Sequence, residues 1–140
     1  MLKRQDIKRE GPKLYNEECS LDDVPVLYHE IPTNGISYLI LLFDTDKVPK
    51  ELIPYLGLLK AVLGYVDTEH YSYDELFNEI NANSGGILCG MHILSRPDDL
   101  QSCRGMFGIK AKCLYSQVGF VFRMIEEILT TSRLDDEKRL

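Results

Sequence analysis

The sequence predicts an α+β fold, an antiparallel or mixed sheet with helices on one face, in the order β-β-α-α-β-β-α. Three observations predict it. Apolar stretches of strand length, rich in β-branched and aromatic residues, occur at 24–31, 36–43, 87–94 and 106–114. Helical spacing of apolar residues marks 52–66, the region after Ser72, and 117–131. The strands also come in pairs, whereas a doubly wound parallel sheet alternates strand and helix one by one.

Residues 1–23 are polar, with Gly11-Pro12 and Leu21-Asp22-Asp23 as breaks, and read as a linker or edge extension. Residues 24–140 read as one domain, complete or truncated. Val24 to Ile31 and Ile36 to Phe43 are separated by Pro32-Thr33-Asn34-Gly35, whose Asn-Gly suits the positive φ angles of a tight hairpin. An antiparallel hairpin is expected there. Leu39 to Phe43 is apolar at every position, which predicts a central strand buried on both faces.

The first helix has apolar residues at 52, 55, 56, 59, 62, 63 and 66, with Lys60 its only charge. A helix apolar on most sides must be covered. Pro54 fits in its first turn, where the missing N–H is not needed. The second helix opens on Ser72-Tyr73-Asp74-Glu75, a capping box, shows Leu76, Phe77 and Ile80 on one face, and stops at Ser84-Gly85-Gly86. Ile87 to Leu94 and Met106 to Leu114 follow as strands joined by the polar turn Ser95 to Asp99. The third helix has Ser116 as expected N-cap and Val118, Val121, Ile125, Ile128 and Leu129 as apolar face. The charged stretch 133–140 reads as frayed or as the start of a connection.

Composition narrows the function. The 140 residues, 44% hydrophobic and 27% charged, are those of a folded domain large enough to bury roughly two-thirds of its unfolded surface. A net charge of −6 argues against nucleic-acid binding, which depends on neutralising phosphates. No apolar run reaches the ~20 residues that span a bilayer, and the N-terminus alternates charges where a signal peptide would be apolar. Cys19, Cys89, Cys103 and Cys113 contain no Cys-x-x-Cys pair and read as reduced structural thiols of a cytosol or organelle matrix.

Catalytic chemistry is mostly not found. Zinc hydrolases need imidazoles or carboxylates converging on the metal. His29, His70 and His92 are dispersed along the chain and read as surface or hydrogen-bonded histidines. Val66-Asp67-Thr68-Glu69-His70 carries the Glu-His end of the inverted zinc motif His-x-x-Glu-His, but Val66 stands where the first ligand belongs, so it reads as coincidence. Gly85-Gly86 lacks the Lys and Ser/Thr of a phosphate loop. Asp22-Asp23, Asp98-Asp99 and Asp135-Asp136 read as solvated turn or terminal carboxylates. No catalytic and no metal-binding residue is assigned. His70, Tyr71 and Tyr73, between the first two helices, are the candidate peptide-contact residues, with core or rim packing as the alternative for the tyrosines.

From Asp23 to about Leu129 the chain resembles the presequence-protease branch of the insulinase (pitrilysin) family of zinc metallopeptidases. The likeness lies in Val24-Pro25, in Pro32-Thr33-Asn34-Gly35-Ile36-x-Tyr38 running into Phe43-Asp44, in Pro49-x-Glu51-Leu52-x-Pro54-Tyr55-x-x-Leu58, in Tyr73-x-Glu75-Leu76, and in Gly85-Gly86 before a strand. The resemblance implies one of four homologous α+β domains that close in two halves around unfolded peptides, specifically the start of the third. In the family the zinc helix belongs to the first domain. The matching helix here has Tyr55-Leu56-Gly57-Leu58-Leu59 where His-x-x-Glu-His would stand, and these side chains supply neither metal ligand nor general base.

The leading expectation is therefore a non-catalytic segment of a zinc metalloendopeptidase that degrades short unstructured peptides, located in the cytoplasm, or an organelle matrix in a eukaryote. The segment would form chamber wall and contacts between domains; zinc would belong to the parent protein and no cofactor to this segment. Partners are other domains of the same polypeptide and unfolded peptides, without nucleic acid or membrane, and an uncovered helix face would favour self-association. The alternative is a freestanding module that captures peptide at a strand edge. A third reading, a thiol or histidine enzyme on His70, Cys89 or Cys113, has no nucleophile–base spacing behind it.

Overall fold

The computed structural model describes residues 15–135 apart from Pro97, and of Arg96 and Leu100 the backbone only. The chain divides into two compact units, residues 1–34 and 35–140. The α+β class is borne out, with one strand more than expected.

In the first unit β1 (Glu17–Leu21) pairs antiparallel with β2 (Val24–Tyr28). Leu21 faces Val24 across the two-residue turn Asp22-Asp23, and both aspartates take positive φ, 47° and 65°. Such angles match the twist of a two-residue hairpin, and aspartate tolerates them better than most side chains. A strand therefore forms at 17–21, inside the stretch read as linker or extension, and the boundary between units falls after Asn34. Gly11-Pro12 lies outside the described residues.

The expected hairpin between residues 24–31 and 36–43 does not form. Asn34 and Gly35 do have positive φ, 52° and 77°. The turn closes no ladder: β2 pairs with β1, and the residues after Gly35 pair elsewhere. It delivers the chain into β3 (Ile36–Asp44), which pairs antiparallel with β5 (Asp99–Leu114), and the Tyr115 N–H donates to the Gly35 carbonyl at 2.9 Å.

The second unit is built on a three-stranded antiparallel sheet in the order β3-β5-β4, where β4 is Ile87–Arg96. This corrects the reading of β3 as a central strand: β5 holds that place and β3 is an edge. Exposure along β3 alternates from Ile36 to Leu42, so one face is covered and the other open despite continuous apolarity. On β5 the covered positions are Phe107, Ile109, Ala111 and Cys113; neighbouring strands add Leu39, Leu41, Ile87 and Cys89.

Two helices supply the other half of this core. α2 (Tyr73–Asn83) contributes Leu76 and Ile80; α3 (Val118–Thr131) contributes Val121, Met124, Ile125 and Ile128. Leu129, expected on the buried face, is partly exposed, and Met124 takes the inward position instead. Ser116 does not cap α3. Residues Tyr115–Gln117 form a 3₁₀ turn, Gln117 stands at the N-cap, and its side chain makes no capping bond. The expected capping box on α2 is present in full: the Glu75 N–H donates to Ser72 Oγ at 3.4 Å and the Ser72 N–H to Glu75 Oε2 at 3.0 Å. The Ser72 hydroxyl, which donates to Glu75 Oε2 at 2.7 Å, and then the Ser72 N–H hold the Glu75 carboxyl below its ordinary range.

The first helix is shorter than its apolar pattern. A 3₁₀ turn at Lys50–Leu52 leads into α1 (Ile53–Val62), with Pro54 in the first turn as expected. Leu63 leaves helical angles at ψ 124° and Gly64 takes φ +84°, so Val66 is buried in the loop that follows. No residue of α1 is fully buried.

Candidate functional site

The loop joining α1 to α2 contains His70 and Tyr71, and Tyr73 is the first residue of α2. Its shape is set by backbone bonds: the Thr68 N–H donates to the Tyr71 carbonyl at 2.8 Å, the Tyr71 N–H to Thr68 Oγ1 at 3.1 Å, and the Tyr73 N–H to Asp67 Oδ1 at 2.7 Å. It is fastened at two points, one on α3 and one just past its C-terminal end. The Arg133 N–H donates to the Asp67 carbonyl at 2.8 Å, and His70 grips Glu127, backbone N–H to Oε1 at 3.2 Å and Nδ1 to Oε2 at 3.0 Å.

Glu127 is the polar centre of this junction. Burial alone would raise its carboxyl, but the hydroxyls of Thr68 and Thr131 and the ring and backbone N–H of His70 outweigh that and hold it down at about 2. The Thr131 hydroxyl also lies 2.8 Å from the Glu127 carbonyl, so its single proton serves one acceptor at a time. The arrangement is a clamp for a loop. It offers no proton to a substrate, because a carboxylate held this low stays ionised at neutral pH.

His70, Tyr71 and Tyr73 have three different settings. The His70 side chain is exposed at its rim and tied to Glu127. Tyr71 leans on the core cluster. Tyr73 stands in an aromatic row, 6.4 Å from the Tyr65 ring and 6.0 Å from Phe77. Tyr65 and Phe77 were not singled out as contacts in the sequence, although the i, i+4 spacing of Tyr73 and Phe77 was a readable signal for one helix face.

Tyr65 and Phe77 also line a cavity of about 450 Å³ whose walls include Lys60, Leu63, Leu88 and Cys89. Burial pushes the Cys89 thiol above its ordinary value, the opposite of an activated nucleophile. Cys113 is buried in the core, Cys19 and Cys103 are exposed, and all four are free thiols.

The histidines are not brought together by hydrogen bonds. His29 follows β2 in the first unit, and His70 binds Glu127. The His92 ring on β4 lies across Gly108, where a Cβ would collide with it, and its buried Nε2 has no hydrogen-bond partner among the described residues. Val66 to His70 is not helical, so it cannot present the faces the inverted zinc motif requires. Among the described residues no three His, Cys, Asp or Glu side chains are grouped to hold a metal ion. In α1, Tyr55 and Leu58 point outward and Leu59 packs toward the core.

Along its whole length, residues 1–140, the sequence matches the family described as peptidase-associated, of subfamily C of metallopeptidase family sixteen. The chain belongs to this family. It is 36% identical over 140 residues to Protein HypA of Clostridium perfringens, which covers 100% of the chain and 14% of that relative. It is 30% identical over 139 residues to the mitochondrial presequence protease of Xenopus laevis and 26% identical over 135 residues to that of Yarrowia lipolytica, again 14% of each relative. The resemblance to the presequence-protease branch is thus borne out. The chain spans about 14% of the length of these relatives.

Proposed function

We propose that this chain is a structural segment of a zinc metalloendopeptidase acting on short unstructured peptides, where it forms chamber wall and contacts between domains. One observation supports the reading: the full 140 residues match a family described as peptidase-associated, and the match spans about 14% of the relatives' length. The apolar residues at Tyr55, Leu58 and Leu59 support it from the side of chemistry, since none can bind zinc or move a proton. Zinc belongs to another part of the parent protein. In this reading His70 and Tyr71 of the loop and Tyr73 at the start of α2 contribute peptide contact, and the parent works in a cytosol, or in an organelle matrix as the word mitochondrial in several relatives' names suggests. Among the described residues no helix is long and apolar enough to cross a membrane.

The test is metal analysis and peptidase assay of the purified chain after dialysis against trace zinc. The expected result is no stoichiometric zinc and no hydrolysis. Zinc at one per chain, with activity lost to a chelator, would overturn the proposal.

A second reading has its own observation. The order β3-β5-β4 leaves β3 at a sheet edge, with exposed apolar residues beside it, as strand capture of an extended peptide requires. Saturable binding of unfolded peptides that a proline in β3 abolishes would favour that reading.

A further inference from the structure

The sheet of the second unit covers one face with α2 and α3 and leaves the other apolar and open. Tyr38, Ile40 and Leu88 stand on that open face at 69%, 59% and 63% exposure. Between them rise two cations of the central strand: Lys112 opposite Tyr38, and Lys110 flanked by Ile40 on one side and Leu88 on the other. Neither lysine forms an ion pair with a described carboxylate. The stem of Lys112 passes over Gly85, whose missing side chain leaves it room, and the backbones meet there, the Gly85 N–H donating to the Lys112 carbonyl at 2.8 Å. Tyr38, Ile40, Leu88 and both lysines line one shallow groove of about 270 Å³.

These facts restrict what can cover the face. A purely apolar partner would strip water from two ammonium groups and give them no counter-charge, which opposes its docking. A basic partner would add like-charge repulsion. The occupant must bring apolar side chains for Tyr38, Ile40 and Leu88 and carboxylates for Lys110 and Lys112. Two residues apart on a strand, the lysines are separated by about 6.7 Å. Carboxylates four residues apart on a helix are about 6 Å apart along its axis, so one helical face can meet both.

The geometry points to an amphipathic helix carrying glutamate or aspartate at i and i+4, supplied by the same polypeptide from the large remainder that the relatives possess beyond this segment. The inference rests on the proposed reading of the chain as part of a larger peptidase. It deepens that reading by assigning the open sheet face to contact with a neighbouring acidic element. A basic peptide is excluded from this face by its charge.

The probe is a synthetic helical peptide with leucines along one face and two glutamates four residues apart beside them, with a twin that has lysines at those two places. Both are titrated into the 140-residue chain by calorimetry and by amide shifts of β3, β4 and β5, at low and high salt. Saturable binding of the glutamate peptide is expected, weakened by about tenfold or more in Lys110→Glu/Lys112→Glu. That variant should in turn accept the lysine twin. Lys110→Gln/Lys112→Gln gives the intermediate affinity if charge reversal disturbs folding. The inference is overturned if the glutamate peptide fails to bind, if both peptides bind the unaltered chain alike, or if charge reversal leaves affinity unchanged. It is equally overturned if the chain covers this face by pairing with a second copy, seen as a dimer lost on charge reversal. Hydrolysis or bound zinc in the chain alone would overturn the functional reading and leaves these affinities unaffected, so the two failures are separable.

Discussion

Both faces of the β3-β5-β4 sheet carry apolar side chains, and these have opposite fates. On one, Ile109 is 1% exposed and packs with Leu76, Val121 and Ile125. On the other, Ile40 belongs to the same sheet, one pleat over, and is mostly exposed. An isoleucine side chain contributes to stability only through the area it removes from water, so identical chemistry is worth several kcal/mol on the first face and little on the second. The difference teaches that apolarity on a strand reports what a face can bury, and that a face left open within a segment is a surface waiting for a neighbour.

The sharpest way to break this comparison is to truncate equivalent side chains on both faces. Ile109→Ala should cost about 2–5 kcal/mol, read as a drop in the midpoint of thermal or denaturant unfolding. Ile40→Ala should change stability by no more than about 0.5 kcal/mol in the isolated chain. Equal losses would mean that the open face is covered in solution.

Between these extremes lies the clamp on α3. Replacing Glu127 by Gln removes the charge that His70, Thr68 and Thr131 satisfy and should destabilise the chain by about 1–3 kcal/mol. The pH dependence has a definite sign. The folded value of Glu127 lies below the ordinary 4.5, so its contribution is present above about pH 4.5 and is lost as pH falls toward about 2. The protection of the His70 amide against hydrogen exchange, relative to its intrinsic rate at each pH, should fall over that acid range in the native chain, and the acid step should be missing in Glu127→Gln. An unchanged step would assign it to another group.

A smaller effect is expected at the start of α2. Ser72→Ala removes one half of the capping box and should cost about 1 kcal/mol, seen as a lowered unfolding midpoint and faster exchange at Glu75. Smallest of all is Ile40→Ser on the open face. It should leave stability nearly unchanged while reducing any self-association measured by sedimentation, since it removes exposed apolar area and adds none.

Much of this was legible along the chain, and the failures share a cause. The capping box, the stop at Ser84, Pro54 in the first turn of its helix and the strands from Ile87 and into Leu114 are local matters, settled by residues a few positions apart. The hairpin at Asn34-Gly35 had the right turn angles and the wrong strands, because turn angles are set locally, whereas β3 takes its partner from β5, far along the chain. The Leu39 to Phe43 run suggested a strand covered on both faces; the structure covers one. Of the candidate contact residues, His70 could be placed in its loop, but Glu127 lies 57 positions away and nothing near it in the sequence signals the pairing.

The sequence by itself determined the α+β class, the sites of the helices, the absence of ligand chemistry from Tyr55, Leu58 and Leu59, and membership of a peptidase family. These depend on periodicity, side-chain type and short-range capping, which are properties of neighbouring residues. The tertiary structure alone decided the sheet order, the clamp of His70 on Glu127, and the separation of a covered face from an open one that bears Lys110 and Lys112. Each of these joins residues distant in the chain, and the energy that selects them comes from burial and pairing in space, which one-dimensional spacing does not encode.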